Sequence, residues 1–399
     1  MRGMIRVNGG GRGTDSLGHH GRGRHCRQVR ASARACRGAR LVAISGRRAE
    51  RLDAFAGEFH VDAAKRYASA EDNGASAHLR LVEDPDVDAV YLALPHGMHE
   101  EWTVRLLRAG KAVLCEKPAV LSEREAAHVA EVAHETGSLF MEAMKPRFMP
   151  AREQVDALLA RGDFGAIASI DIVHRVNYGD QTGRYLLDPV QGGTLYDLGC
   201  YGVGWAEDLL AGEVEVDSCR TRWMPAAEGG CIDIADDARL RIGGVPVHFD
   251  FAGDADEFEV VCRICCERGE IEVPVLHRPV SYVVRKFVDV DGERMGIRDA
   301  DAGESAACGN VSPELVEAPA VVDDFYGEIA HFCGLMRAGA HESSVMPLAS
   351  TVRIARTIDA IRASWPPVGQ RVVDGAPERD VVDGAFEQAS ERSVEGSGR

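Results

Sequence analysis

The chain has 399 residues, of which 45% are hydrophobic. That is long enough for two domains, because single cores stop growing near about 250–300 residues. The longest apolar runs, residues 89–95 and 112–115, fall far short of the roughly 20 residues needed to span a membrane. The basic N-terminus has no apolar stretch behind it of the kind a secretory signal carries, so the reading is a cytoplasmic protein. The net charge of −17 is uneven: residues 1–40 hold ten Arg, no Lys and one acid (Asp15), a charge of +9, and the remainder carries −26. An acidic body argues against nucleic acid and anionic membrane as partners.

Between Asn8 and Gly38, Gly and Arg dominate and apolar periodicity is almost absent. A helix there would have no apolar face to bury, and the composition resembles out-of-frame translation of a GC-rich gene. From Arg40 onward an α/β rhythm is plain. Residues 41–45 form a short apolar strand, and 48–59 has helical spacing through Leu52, Phe55 and Phe59. The polar stretch 68–81 reads as a loop insertion. Asp84–Asp88 is a turn before a buried-type strand at 89–94. Helix 100–109 ends at Gly110, a natural C′ residue, and strand 111–115 follows. Helix 122–136 opens with a capping box of Ser122 and Glu125, and a further strand covers 139–143. Strands alternating with helices at this spacing predict a parallel sheet covered on both faces.

Beyond about residue 165 the period changes. Segments 166–176, 238–251, 258–266 and 271–273 alternate like antiparallel strands, with Gly243-Gly244 splitting the second into a hairpin. Helices return at 321–338 and 347–364. The tail from Pro366 is polar, repeats Val-Val-Asp-Gly-Ala and reads as a disordered extension. The eleven cysteines have no paired spacing, as expected of thiols kept reduced. Cys262, Cys265 and Cys266 lie in an alternating strand and read as small buried hydrophobes, with no metal site.

Three segments carry chemistry. Cys115-Glu116-Lys117-Pro118 ends a predicted parallel strand, where ligands of such sheets bind. Partial burial there would lower the lysine's pKa and suit it to proton handling; a surface Lys before a helix is the plain alternative. In Gly192–Tyr201 two glycines permit close backbone approach, and Asp197 and Tyr201 share a face if the segment is helical. A helix cap and a core Tyr would explain them equally. Leu94-Pro95-His96-Gly97-Met98-His99 also ends a strand; either His could line a cofactor, or His99 could be a solvent-facing cap.

Together and in this order, these segments resemble the glucose–fructose oxidoreductase/inositol dehydrogenase (Gfo/Idh/MocA) family, from about Leu41 to Trp365. Tyr201 and Met141-Glu142-Ala143 are most similar to its dihydrodiol and xylose dehydrogenase branch. The resemblance implies an α/β fold: a Rossmann-type dinucleotide-binding domain (1–120), an α+β substrate domain with a mainly antiparallel sheet (121–365) and a tail (366–399). It implies hydride transfer between a nicotinamide and a sugar or vicinal diol carbon. Lys117 would be the catalytic lysine, Tyr201 the general acid/base, and Asp197 the binder of substrate hydroxyls. Leu94, Pro95, His96, His99, Glu116 and Lys117 would line the cofactor. A homo-oligomer, dimer or tetramer, is implied as well.

The strand at 41–45, which resembles the family's second strand, ends Ser45-Gly46-Arg47-Arg48, without the acid that usually holds an NAD ribose. Guanidinium groups match a phosphate, so NADP is the expected cofactor, with NAD the alternative and Ser45, Arg47 and Arg48 at its ribose. The phosphate turn departs from the family: Gly9, Gly11 and Arg12 lie in Gly9-Gly10-Gly11-Arg12-Gly13-Thr14, with no apolar helix after it. Two other functions are therefore kept: a non-catalytic or inactivated cofactor- or sugar-binding member, and an NAD-dependent glycosidase on the same fold. Tyr201 and the arginine pair disfavour the latter.

Overall fold

The structure is a computed structural model that describes residues 39–179, 185–226, 229–287, 289–290, 293–294, 312–367 and 370–371, with Ser32, Ala35 and Cys36. The readings of residues 8–31, including the phosphate turn, and of the tail from 372 lie outside the described residues.

The N-terminal part is parallel. β1 (Ile44–Gly46) pairs with β2 (Arg66–Ala68), and β3 (Ala89–Leu92), β4 (Ala112–Glu116) and β5 (Phe140–Ala143) form a second parallel sheet in that order. Every residue of β3, β4 and β5 is buried, as unbroken apolar strands require when helices cover both faces. The helices are α1 (Ala49–Phe59), α2 (Ala75–Val82), α3 (His99–Arg108) and α4 (Glu123–Thr136). Gly110 takes φ +73° just past α3, the left-handed conformation that ends helices and that only Gly adopts freely. At α4 the Ser122 hydroxyl accepts from the Glu125 amide at 3.2 Å, and the Glu125 carboxylate accepts from the Leu121 amide.

Two expectations are corrected here. Residues 68–81 are not a loop insertion, because α2 begins at Ala75. Asp72 gathers the amides of Gly74 and Ser76 ahead of it, and Ala77, His78 and Leu81 are buried. The helix is too short, and too dependent on a buried His, to show an apolar period. Nor is the stretch before residue 39 wholly without a packing role: Ser32 and Ala35 are helical, and Cys36 is buried in the core with Ala89, Tyr91 and Ala112.

The C-terminal part is an eight-stranded sheet. Its strands are β6 (Ile167–Asn177), β7 (Val214–Pro225), β8 (Cys231–Ile242), β9 (Val245–Ala252), β10 (Asp254–Cys266), β11 (Gly269–Pro274), β12 (Ser281–Lys286) and, after a short pair β13 (Asp289–Val290) and β14 (Glu293–Arg294), β15 (Glu314–Glu317). The spatial order is β15-β12-β11-β10-β6-β9-β8-β7, antiparallel throughout except for β6 beside β9. Gly243-Gly244 is the two-residue turn between β8 and β9. Cys262 and Cys266 are buried within β10. β7, β12 and β15 escaped the sequence reading, as did α5 (Pro150–Ala160) and α6 (Cys200–Leu209). The last helices are α7 (Tyr326–Ala338) and α8 (Leu348–Ala363). α8 packs on α4 and on α6, tying the two parts together.

One approach positions the site. A Cβ on Gly202 would lie 2.8 Å from the Phe251 ring and 3.0 Å from Ile172 Cγ2. α6 therefore rests directly on β6 and β9, and its first turn meets the end of β4.

Candidate active site

Lys117 leaves the carboxyl end of β4 and enters a cluster built by the segment before α6. Gly192 and Gly193 open that segment. Gly193 has φ +96°, and a side chain there would collide with the Asp233 carboxylate. That carboxylate instead accepts from the Leu195 amide at 2.7 Å. Residues Leu195–Gly199 then form a π-turn that runs into α6, an irregularity common at functional sites.

The turn brings Asp197 and Tyr201 to Lys117. The Lys117 ammonium donates to Asp197 Oδ1 at 2.9 Å and to the Asp197 carbonyl at 2.5 Å. It lies 4.6 Å from the centre of the Tyr201 ring. Tyr178 donates to the other Asp197 oxygen at 3.2 Å. The side chains of Lys117 and Asp197 are only 10% and 18% exposed, and Tyr201 is 7% exposed.

Burial and charge compete in this cluster. Burial alone would lower the pKa of Lys117, as the sequence suggested. The Asp197 carboxylate overrides it and holds the ammonium well above its usual range. Burial would raise Asp197, but Lys117 brings it down to about 2. Burial pushes the Tyr201 phenol well above its ordinary value, with Lys117 opposing. At neutral pH the trio is thus an ammonium, a carboxylate and a protonated phenol.

The other expected residues separate into two groups. His96 is buried, its Nδ1 2.9 Å from the Gln191 carbonyl and its ring edge-on to Tyr185 at 4.7 Å. The Gly97 amide donates to Gln191 Oε1, so this loop is held to the segment carrying Asp197. Pro95 is half-buried and Leu94 buried beside it. Glu116 accepts from the Tyr91 hydroxyl. His99 is not a solvent-facing cap: it is fully buried, with its two ring nitrogens 2.8 Å from the carbonyls of Pro118 and Leu94. It braces the two strand ends.

In the separate two-stranded sheet, Ser45 of β1 is fully buried and its hydroxyl is bonded to His78 Nδ1, so its side chain serves the interior. Arg47 and Arg48 are exposed, and Arg47 donates to Asn73 Oδ1. Gly9, Gly11 and Arg12 lie outside the described residues.

Sequence reasoning missed Tyr178, Gln191, Asp233, His174 and His277. His174 had a legible signal, since it occupies the apolar face of β6 two residues after Ile172. Among the described residues no group of three or more His, Cys, Asp or Glu is disposed to hold a metal.

Comparison with known proteins places the chain in a family. Residues 19–144 match the model for an oxidoreductase family with an NAD-binding Rossmann fold, Gfo/Idh/MocA, and residues 153–272 match the C-terminal domain of the same family. The chain belongs to that family. The first match begins at residue 19, within the stretch of poor periodicity.

Among its relatives is a D-xylose 1-dehydrogenase (NADP+) of Haloferax volcanii, 34% identical over 42% of this chain and 49% of its own length. Another is the trans-1,2-dihydrobenzene-1,2-diol dehydrogenase of Mus musculus, 28% identical over 81% of this chain and 87% of its own. For the first relatives matched, the aligned region spans about half of their length. The 3-ketoreductase KijD10 from Actinomadura kijaniata, solved with NADP and TDP-benzene, superimposes with a TM-score of 0.68 at 25% identity, covering 85% of this chain and 93% of that one. No helix among the described residues is long and apolar enough to cross a membrane.

Proposed function

We propose that this protein is an NADP-dependent oxidoreductase acting on a sugar or vicinal diol carbon and its carbonyl counterpart. The observation that carries this reading is the Lys117 ammonium held between Asp197 and the face of Tyr201, at the carboxyl end of a parallel strand. Its likeness to an NADP-dependent D-xylose dehydrogenase and to a dihydrobenzenediol dehydrogenase supports the substrate class.

The residues present fit a phosphorylated dinucleotide. Two exposed guanidinium groups stand at the end of β1, where a ribose phosphate would meet them. Leu94, Pro95, His96 and Glu116 would line the nicotinamide end. When bound, the cofactor supplies or accepts a hydride.

The chain's own work is to handle the proton. In the reducing direction the carbonyl carbon gains the hydride, and its oxygen takes the Tyr201 proton and becomes a hydroxyl. Lys117, kept charged by Asp197, stabilises the tyrosinate left behind. In the oxidising direction that tyrosinate recovers the proton as the hydride departs. Low exposure around the trio excludes water and strengthens these interactions. Asp197 fixes Lys117 and offers its remaining lone pairs to substrate hydroxyls. A homo-oligomer is part of this reading, tested by light scattering on the eluting protein.

The test is a fluorescence titration of the purified protein with NADPH and NADH, followed by a screen of pentoses, hexoses and trans-diols with NADP+. Binding of NADPH in preference to NADH, with turnover of at least one polyol, is expected. Binding without turnover of any substrate would indicate a cofactor-binding protein. Binding of neither cofactor would overturn the reading.

A further inference from the structure

Beside the Lys117–Asp197–Tyr201 cluster stand two imidazoles that the mechanism above does not use. The rings of His174 and His277 are stacked, 4.9 Å between centres and 5° from parallel. Both lean on Tyr201, at 6.1 Å and 5.8 Å between ring centres. Nδ1 of each is buried and has no hydrogen-bond partner. Orphaned buried polar atoms are uncommon in a folded chain, and two of them against one phenol call for a ligand.

Their placement is built in. Period-two alternation along β6 puts Ile170, Ile172 and His174 on one face. Ile172 lies against α6 at Gly202, so His174, 1% exposed, comes under Tyr201 at the start of that helix. His277 follows β11 through Val275, whose φ of +54° is unusual for a β-branched residue. The Val275 amide is tied to the Val260 carbonyl, and the Leu276 carbonyl accepts from Trp205 of α6. Backbone held in a sparsely populated conformation tends to occur where a side chain must be aimed. Burial keeps both rings neutral at physiological pH, assisted by Lys117 at His174 and by the His174 ring at His277, so each carries one donor and one acceptor nitrogen.

We propose that His277, backed by His174, hydrogen-bonds the substrate hydroxyl next to the reacting carbon, and so selects polyhydroxy substrates over simple alcohols. The inference rests on the dehydrogenase reading. With the reacting oxygen between Lys117 and Tyr201, the adjacent hydroxyl falls to the imidazole that flanks Tyr201. A hydroxyl both donates and accepts, which suits a neutral ring of either tautomer. A substrate lacking it would leave the ring nitrogen unpaired, which sites of this kind penalise.

The experiment compares kcat/KM with NADP+ for two pairs: D-xylose with its 2-deoxy analogue, and trans-cyclohexane-1,2-diol with cyclohexanol. The parent protein should favour the more hydroxylated member by about tenfold or more, the loss expected for a neutral hydrogen bond. His277→Phe should abolish that preference while the deoxy member and NADPH affinity stay within about twofold, the scatter of a merely packed site. His277→Gln should restore part of the preference. Equal losses for both members in His277→Phe, with a lowered Tm, would show that the ring only packs Tyr201 and would overturn the inference. So would an unchanged ratio. Turnover of no member by the parent would remove the dehydrogenase reading and this inference together, whereas turnover with an unchanged ratio in the variant removes the inference alone.

Discussion

The two ends of the dinucleotide-binding half are built on opposite principles. Around Lys117 the charged groups are largely removed from solvent and held by neighbours: ammonium to carboxylate, carboxylate to Tyr178, loop to loop through Gln191. Around Arg47 and Arg48 the charged groups are exposed, and the Arg47 bond to Asn73 is a surface contact. Proton transfer needs fixed distances and a dry setting, which the packing around Lys117 provides. A phosphate arrives with its own charge and needs only cations within reach. On the proposed reading, preorganisation is concentrated where chemistry would occur and relaxed where the cofactor would be recognised.

The sharpest way to break this comparison is through the turn that carries Asp197. Gly193→Ala places a methyl group against the Asp233 carboxylate at a positive φ. It should lower turnover by at least about 10², the cost of misplacing a reacting group by an ångström or so, and lower Tm as well. Steady-state rates and thermal melts would check this; an active, stable Gly193→Ala would mean that the locked geometry is not required.

Asp197→Asn comes next. It removes the charge that opposes burial at Lys117, so the lysine pKa should fall below its usual value. The pH–rate profile of the variant should gain an ionisation on its alkaline side, absent from the parent below pH ~10.

A smaller effect separates the regions by acid. His78, His174 and His277 are buried and held neutral, with pKa values lowered by burial to about 4, 4 and 2. The unfolded chain takes up these protons near pH 6.5 and the folded chain only at the lower values. Their contribution to stability is thus complete above about pH 6.5 and declines as pH falls toward 4. A His174→Phe/His277→Phe variant should show a shallower fall in Tm between pH 7.5 and pH 5, a range that brackets the unfolded value. The smallest change belongs to the open end: Arg47→Ala with Arg48→Ala should weaken NADPH by about tenfold and leave NADH unchanged, measured by fluorescence titration.

Much of this contrast was legible in the sequence. The buried strands ending at Pro95 and Glu116 announced themselves as unbroken apolar runs. Lys117 stood at the carboxyl end of a predicted parallel strand, and Asp197 and Tyr201 followed a glycine pair at helical spacing. What stayed hidden depends on tertiary partners. α2 rests on a buried His78 and a capping Asp72, neither of which makes a period. The direction of the Lys117 shift required knowing that Asp197 lies 2.9 Å away, since burial by itself predicts the opposite sign. Ser45 was expected at the cofactor, but its hydroxyl is bonded to His78, a partner 33 residues distant. His277 comes into place only because β11, Val275 and α6 meet.

The central claim is that Tyr201 moves the proton, with Lys117 stabilising its tyrosinate, while other residues hold the cofactor. It is tested most directly by measuring kcat and NADPH affinity together in Lys117→Met and Tyr201→Phe. The account predicts that each variant loses about 10²–10⁴ in kcat, the usual contribution of a general acid/base, with the NADPH Kd unchanged. Undiminished turnover in both variants would contradict it.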